Sequence, residues 1–168
     1  MLKDHRDILS KLNTHGAKYL VIGGHAVSFH AEPRGTKDLD VFIKADEENS
    51  KAVFAALADF GAPMRGVTPA DFNDRPTRVF QLGVPPARVA ILQGIAGVDF
   101  DEAWPNRVDG LLDKDTPAHI ISREHLIQNK LAVGRHQDLA DVEALRASAR
   151  VQASPTKPAK MRKQRKVK

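Results

Sequence analysis

Cysteine is absent from the 168 residues, which excludes disulfides, zinc ribbons, iron–sulfur clusters and thiol nucleophiles. Aromatics are scarce at 5%, too few for a stacking platform that would hold single-stranded nucleic acid. No apolar run approaches the roughly 20 residues needed to span a bilayer. The start, MLKDHRDIL, scatters charges where a signal peptide would place its apolar core. The expectation is a soluble cytoplasmic protein with no membrane partner. At 18.5 kDa the chain suits one ordinary domain, able to bury roughly 70% of its extended surface without a covalent or metal staple.

Charge is present but unevenly placed. The formal net charge is +5, from 26 Lys+Arg and 21 Asp+Glu. Residues Val151 to Lys168 hold seven of the basic side chains and no acid, which leaves the rest of the chain at a net of −2. The high isoelectric point therefore belongs to the end of the chain. SPTKPAKMRKQRKVK has no apolar period and cannot bury enough surface to offset ordering. The division expected is a domain over residues 1–149 and a disordered basic tail over 150–168. The tail is either an arm attracted to nucleic acid through phosphate charge or a solubilising extension.

Before the tail, helical and extended patterns alternate. Lys3 to Thr14 places Ile8, Leu9 and Leu12 at helical spacing, with Gly16 as a stop. Lys18 to Ile22 is a short β-prone run ending in Gly23-Gly24, and His25 to His30 suits a short helix. Pro33 and Gly35 mark a turn before Asp38 to Lys44, which alternates polar and apolar as a half-buried strand does. Asp46 is a plausible N-cap for a helix to about Phe60 that Gly61 closes. Arg78 to Leu82 and Arg88 to Leu92 read as strands, and His119 to Ile121 as one more. Ser122 caps a helix over Arg123 to Val133, Gly134 ends it, and a last helix runs from about Gln137 to Ala149. The class is α/β, with a mixed sheet flanked by helices and a helical pair at the C-terminal side.

Asp38 and Asp40 stand at i and i+2 of an expected strand, so both point to one face, roughly 6.5–7 Å apart. Like charges that close repel unless a cation lies between them. A hard dication such as Mg²⁺ takes a few carboxylates together with phosphate and water oxygens. Upstream, Gly23-Gly24 follows a strand and opens a helix, where bare backbone N–H groups can approach an anion. An anion cradle beside a carboxylate pair suits phosphoryl or nucleotidyl transfer.

The stretch GGHAVSFHAEPRGTKDLDVFI resembles the nucleotidyltransferase superfamily related to polymerase beta, in Ile22-Gly23-Gly24 and Asp38-Leu39-Asp40-Val41. Downstream, ISREHLIQNKLAVGRHQDLADVEAL is similar to the second block of small bacterial nucleotidyltransferases of the AbiEii toxin type, at Lys130, Arg135, Asp138 and Asp141. The resemblance covers roughly residues 5 to 147 and implies a small nucleotidyltransferase fold. It implies that Gly23 and Gly24 hold a nucleoside triphosphate and that Asp38 and Asp40 bind Mg²⁺. Arg34, Thr36, Lys130 and Arg135 would contact the nucleotide's phosphates. Asp138 and Asp141 would orient Lys130 or Arg135, or form a structural charge network. The acceptor implied is a hydroxyl of a protein or tRNA, and the partners include a cognate antitoxin.

The chain departs from this pattern at one position. The resemblance calls for a third carboxylate on a neighbouring strand, where the sequence reads Arg88-Val89-Ala90-Ile91-Leu92. Ala90 stands at that place. Three readings follow: an inactive relative that still binds nucleotide, a replaced residue in an otherwise active frame, or compensation by Asp99 or Asp101, which share a face if their segment is extended. The seven histidines show no metal-ligand spacing; His25, in the glycine turn, either touches nucleotide or fills space. Trp104 reads as a packing residue. Two functions of different class are expected: a nucleotidyltransferase weakened at Ala90, and a non-catalytic module that binds nucleotide or a partner on the same fold.

Overall fold

The structure, a computed structural model, describes residues 1–153. Helix α1 (Lys3–Thr14) buries His5, Ile8, Leu9 and Leu12 along one stripe. Gly16, at φ +65°, then turns the chain into β1 (Tyr19–Ile22), all four residues of which are buried. Helix α2 (Gly23–His30) starts directly where β1 stops. After a loop, β2 (Leu39–Ile43) returns antiparallel to β1, with Ile22 opposite Asp40 and Tyr19 opposite Ile43.

Helix α3 (Glu47–Phe60) begins and ends as the sequence indicates. The Asp46 carboxylate accepts a 2.7 Å bond from the Asn49 N–H, and Gly61 at φ +92° closes the helix. Strands β3 (Val79–Leu82) and β4 (Val89–Leu92) pair antiparallel, and β4 runs parallel to β2. A short helix α4 (Phe100–Ala103) precedes β5 (Val108–Leu112) and β6 (Thr116–Ile120). Helices α5 (Arg123–Val133) and α6 (His136–Ala153) finish the described chain. Ser122 caps α5 through a 3.2 Å bond from the His125 N–H.

The strands form one mixed sheet in the order β3-β4-β2-β1-β6-β5. Helices α1 and α3 pack on each other, while α2 meets α5 and α6. The buried core gathers Leu20, Val41, Ile43, Leu57, Ile91 and Ile120 with the α1 stripe. Among the described residues no helix is long and apolar enough to cross a membrane.

Three expectations are corrected. Helix α6 continues to Ala153, so residues 150–153, assigned to the tail, are helical; residues 154–168 lie outside the described residues, and the reading of them as a tail goes with them. The strand expected at His119 to Ile121 spans Thr116–Ile120 instead. Its partner β5 was not expected at all. VDGLL carries an Asp and a Gly, which weaken any strand signal. Gly110 is there for a tertiary reason: a Cβ on it would lie 2.9 Å from the Phe29 ring.

Candidate functional site

The end of β1, the loop before β2, the end of α5 and the start of α6 converge on one cleft of about 590 Å³. The turn from β1 into α2 requires glycine twice. Gly23 sits at φ +64°, and a Cβ there would fall 2.3 Å from Asp40 Oδ2. A Cβ on Gly24 would fall 2.6 Å from Thr36 Oγ1 and 3.4 Å from Arg34 Nη2. Both glycines let side chains of the following loop and strand lie directly on backbone, so the turn and the acids are one feature. The expected residues Gly23, Gly24, Arg34, Thr36, Asp38, Asp40, Lys130, Arg135 and Asp138 all line this cleft.

Asp38 immediately precedes β2 rather than lying in it. Burial and the neighbouring Asp38 charge push the Asp40 carboxyl above the usual carboxylate range, while Lys130 and Arg135 pull it back only in part. Two carboxylates in one cleft, one of them resisting ionisation, form an anionic corner that a cation would relieve. Among the described residues no group of three or more His, Cys, Asp or Glu is arranged to hold a metal ion. A cation here would have two carboxylates and would draw its other ligands from phosphate and water, the habit of Mg²⁺. The donor set fits that ion.

The opposite wall is built from compensated charge. Lys130 Nζ lies 3.1 Å from Asp138 Oδ1 and 2.9 Å from Asp141 Oδ2. Exposures are 6%, 1% and 2% for Lys130, Asp138 and Asp141. Arg135 Nε donates to Asp138 Oδ2 at 2.7 Å, and Arg34 pairs with Asp141 through Nε at 3.1 Å. The Arg135 guanidinium, with Lys130, holds the Asp138 carboxyl down at about 2. Lys130 thus reaches the cleft with its ammonium already held by two acids. Arg135 keeps 75% of its side chain exposed while its Nε and Nη2 hold Asp138.

The apolar part of the lining is Ile22, Leu92, Ile95, Ala96 and Val133, with Asn129 and Gln137 as neutral polar members. The loop carrying Ile95 and Ala96 is fastened to α5 by Asn129 Nδ2, which donates to the Ala96 carbonyl at 2.9 Å. Sequence reasoning missed this wall, because Asn129 lies next to Lys130 in a helix and nothing local marks its long-range bond.

Ala90 stands on β4 directly opposite Asp40, and Gln81 of β3 pairs with Ala90 on its other edge in the same row. Among the described residues the row Gln81–Ala90–Asp40–Ile22 holds a single acid, Asp40. Asp99 is not in an extended segment but caps α4, accepting from the Glu102 N–H at 3.1 Å. Asp101 reaches Lys44 at 3.0 Å. Neither lines the cleft, so compensation by Asp99 or Asp101 is corrected: α4 turns both acids to capping and ion pairing. His25 faces a different cavity. Trp104 stacks on Phe100, with the Arg107 guanidinium 3.8 Å from its ring centre.

The fold so described is similar to that of the antibiotic-resistance factor ANT(2'')-Ia, whose structure was solved in solution and shows substrate-regulated conformational dynamics. The TM-score is 0.54 at 14% sequence identity, covering 89% of this chain and 82% of that one. The likeness is one of fold: an α/β architecture with a mixed six-stranded sheet flanked by helices. No protein-family model matches the chain, and no curated protein matches it by sequence.

Proposed function

We propose that this chain binds a nucleoside triphosphate in the cleft and transfers its nucleoside monophosphate to an acceptor hydroxyl, releasing pyrophosphate. The observation that carries the reading is the contact of Gly23 with Asp40, which joins an anion-accepting helix start to a carboxylate pair. Gly23, Gly24, Thr36 and Arg34 would hold the phosphates. Asp38 and Asp40 would hold Mg²⁺, which when bound offsets phosphate charge. Arg135, exposed and poised over the cleft, would close on the phosphate oxygens, while the Lys130–Asp138–Asp141 cluster fixes the wall from which it swings. The acceptor proposed is a hydroxyl of a protein or tRNA, as the resemblance to AbiEii-type toxins implies, and a cognate antitoxin and a cytoplasmic setting belong to the same proposal.

A second reading has its own support. Ala90 beside Asp40 leaves the row without its third acid, and α4 engages Asp99 and Asp101 elsewhere. On this reading the chain is a non-catalytic nucleotide- or partner-binding module. Loss of one member of such a catalytic unit commonly costs about 4 kcal/mol or more in barrier.

Labelled NTPs, Mg²⁺ and cell extract separate the readings. Labelling of an extract component by the chain as it stands, lost in Asp40→Ala, supports the transferase. Labelling only by Ala90→Asp supports an inactivated enzyme, and labelling by neither favours the binding module. Labelling that survives Asp40→Ala overturns the site.

A further inference from the structure

On the far side of the Arg34–Thr36 loop lies a second cavity of about 700 Å³, within the range of small-molecule sites. Arg34 and Thr36 line both spaces, so the loop is the wall between them. Two histidines from different helices, His5 of α1 and His25 of α2, meet edge to face here with ring centres 5.6 Å apart. His5 is only 1% exposed. No hydrogen bond of ordinary geometry reaches either ring nitrogen of His5, which lies beside the Arg88 backbone, or Nε2 of His25.

Buried polar atoms left unpaired in this way cost roughly 1–3 kcal/mol each, and they seldom persist without an occupant to satisfy them. A half-turn of either ring about χ2 exchanges nitrogens with ring carbons at nearly the same places, so the edges lining the cavity can become polar without changing its shape. Burial lowers the affinity of both imidazoles for protons, that of His25 to about 4, so both are neutral at neutral pH.

The charges at the rim are already answered. Asp113 takes the Met1 amino group at 3.2 Å and Arg6 at 3.4 Å, and Arg34 is paired with Asp141. Both charged side chains of the lining, Asp113 and Arg34, are thus engaged by partners within the chain. Phe29, Pro33, Leu111 and Leu112 give the lining its apolar part, and the neutral hydroxyls of Ser28 and Thr36 complete it. Apolar walls around neutral donors and acceptors suit a flat ring with hydrogen-bonding edges. We propose that this cavity is a second ligand site, separate from the cleft, that takes an uncharged heteroaromatic ring of the nucleobase kind. The proposal does not rest on the transferase reading.

The test titrates adenosine, guanosine, cytidine and uridine into the full chain without metal or phosphate. Calorimetry and the imidazole NMR signals of His5 and His25 are the readouts. At least one nucleoside binds and moves both histidine signals. His25→Phe, which keeps a ring and removes its nitrogens, weakens binding roughly tenfold. Leu111→Trp, at a site 53% exposed on the rim, blocks the cavity without touching the core and weakens it at least as much. Asp40→Asn leaves it unchanged. A mixed-sequence RNA tetramer that competes for the same histidine signals identifies the source as a nucleic-acid end; failure to compete identifies a free nucleoside. Absence of binding by all four nucleosides, survival of binding in both cavity variants, or its loss in Asp40→Asn overturns the proposal. NTP labelling is scored separately, so either result stands without the other.

Discussion

Two pairs of aspartates at the site are in opposite electrical states: Asp38 and Asp40 line the cleft, while Asp138, also in its lining, and Asp141 both hold Lys130. Asp138 and Asp141 are the more deeply buried, yet they are fully paired by Lys130, Arg135 and Arg34. Asp38 and Asp40 are less buried and have no ion-pair partner among the described residues. The same side chain is pushed down to about 2 at Asp138 and pushed up at Asp40. Burial opposes ionisation in both places; what differs is whether a cation arrives from the neighbouring turn. One pair is finished by the fold, and the other is left for something the chain does not itself contain.

The largest effect is expected from breaking the finished pair. Lys130→Ala leaves two acids buried without their central cation and should cost about 3–5 kcal/mol in urea unfolding. If the loss is under about 1 kcal/mol, the cluster is solvated and not structural. Gly23→Ala comes next. It places a methyl in the space of the Asp40 carboxylate at a left-handed φ, and should cost about 1–3 kcal/mol while abolishing NTP binding measured by calorimetry.

Acid then separates the two pairs by sign. Asp138 has a depressed folded-state pKa, so its contribution is complete above the unfolded value of 3.8 and fades as pH falls toward about 2. Asp40 has a raised one, so its ionisation weighs on the fold at neutral pH, and that burden is relieved as pH falls through its folded value. Melting curves of Asp138→Asn should therefore lose acid sensitivity below about pH 4, and those of Asp40→Asn should gain stability at neutral pH relative to the parent. The smallest effect is that gain itself, about 1 kcal/mol or less. A clear loss of stability in Asp40→Asn would mean that its carboxylate is held by the protein, ending the contrast between the pairs.

Much of the framework was legible locally. Asp46 and Gly61 bound one helix, and Ser122 and Gly134 bound another, because caps and left-handed stops are set by neighbours in sequence. Strand β5 was not legible, since Gly110 answers to the Phe29 ring and to no neighbour in the chain. Asp99 and Asp101 were misplaced because an alternating acid pattern does not distinguish a strand from a capped helical turn.

By itself the sequence determined which residue types could meet: two acids spaced for one face, two glycines at a helix start, and a lysine with acids on the following helices. Their local periods and turn chemistry do not depend on the rest of the chain. Tertiary structure alone decided that Gly23 touches Asp40, that Lys130 is already held, that Ala90 has no substitute, and that His5 and His25 share a second cavity. Each of these joins residues brought together by sheet register and helix packing, and such contacts are set by the balance of burial across the whole domain.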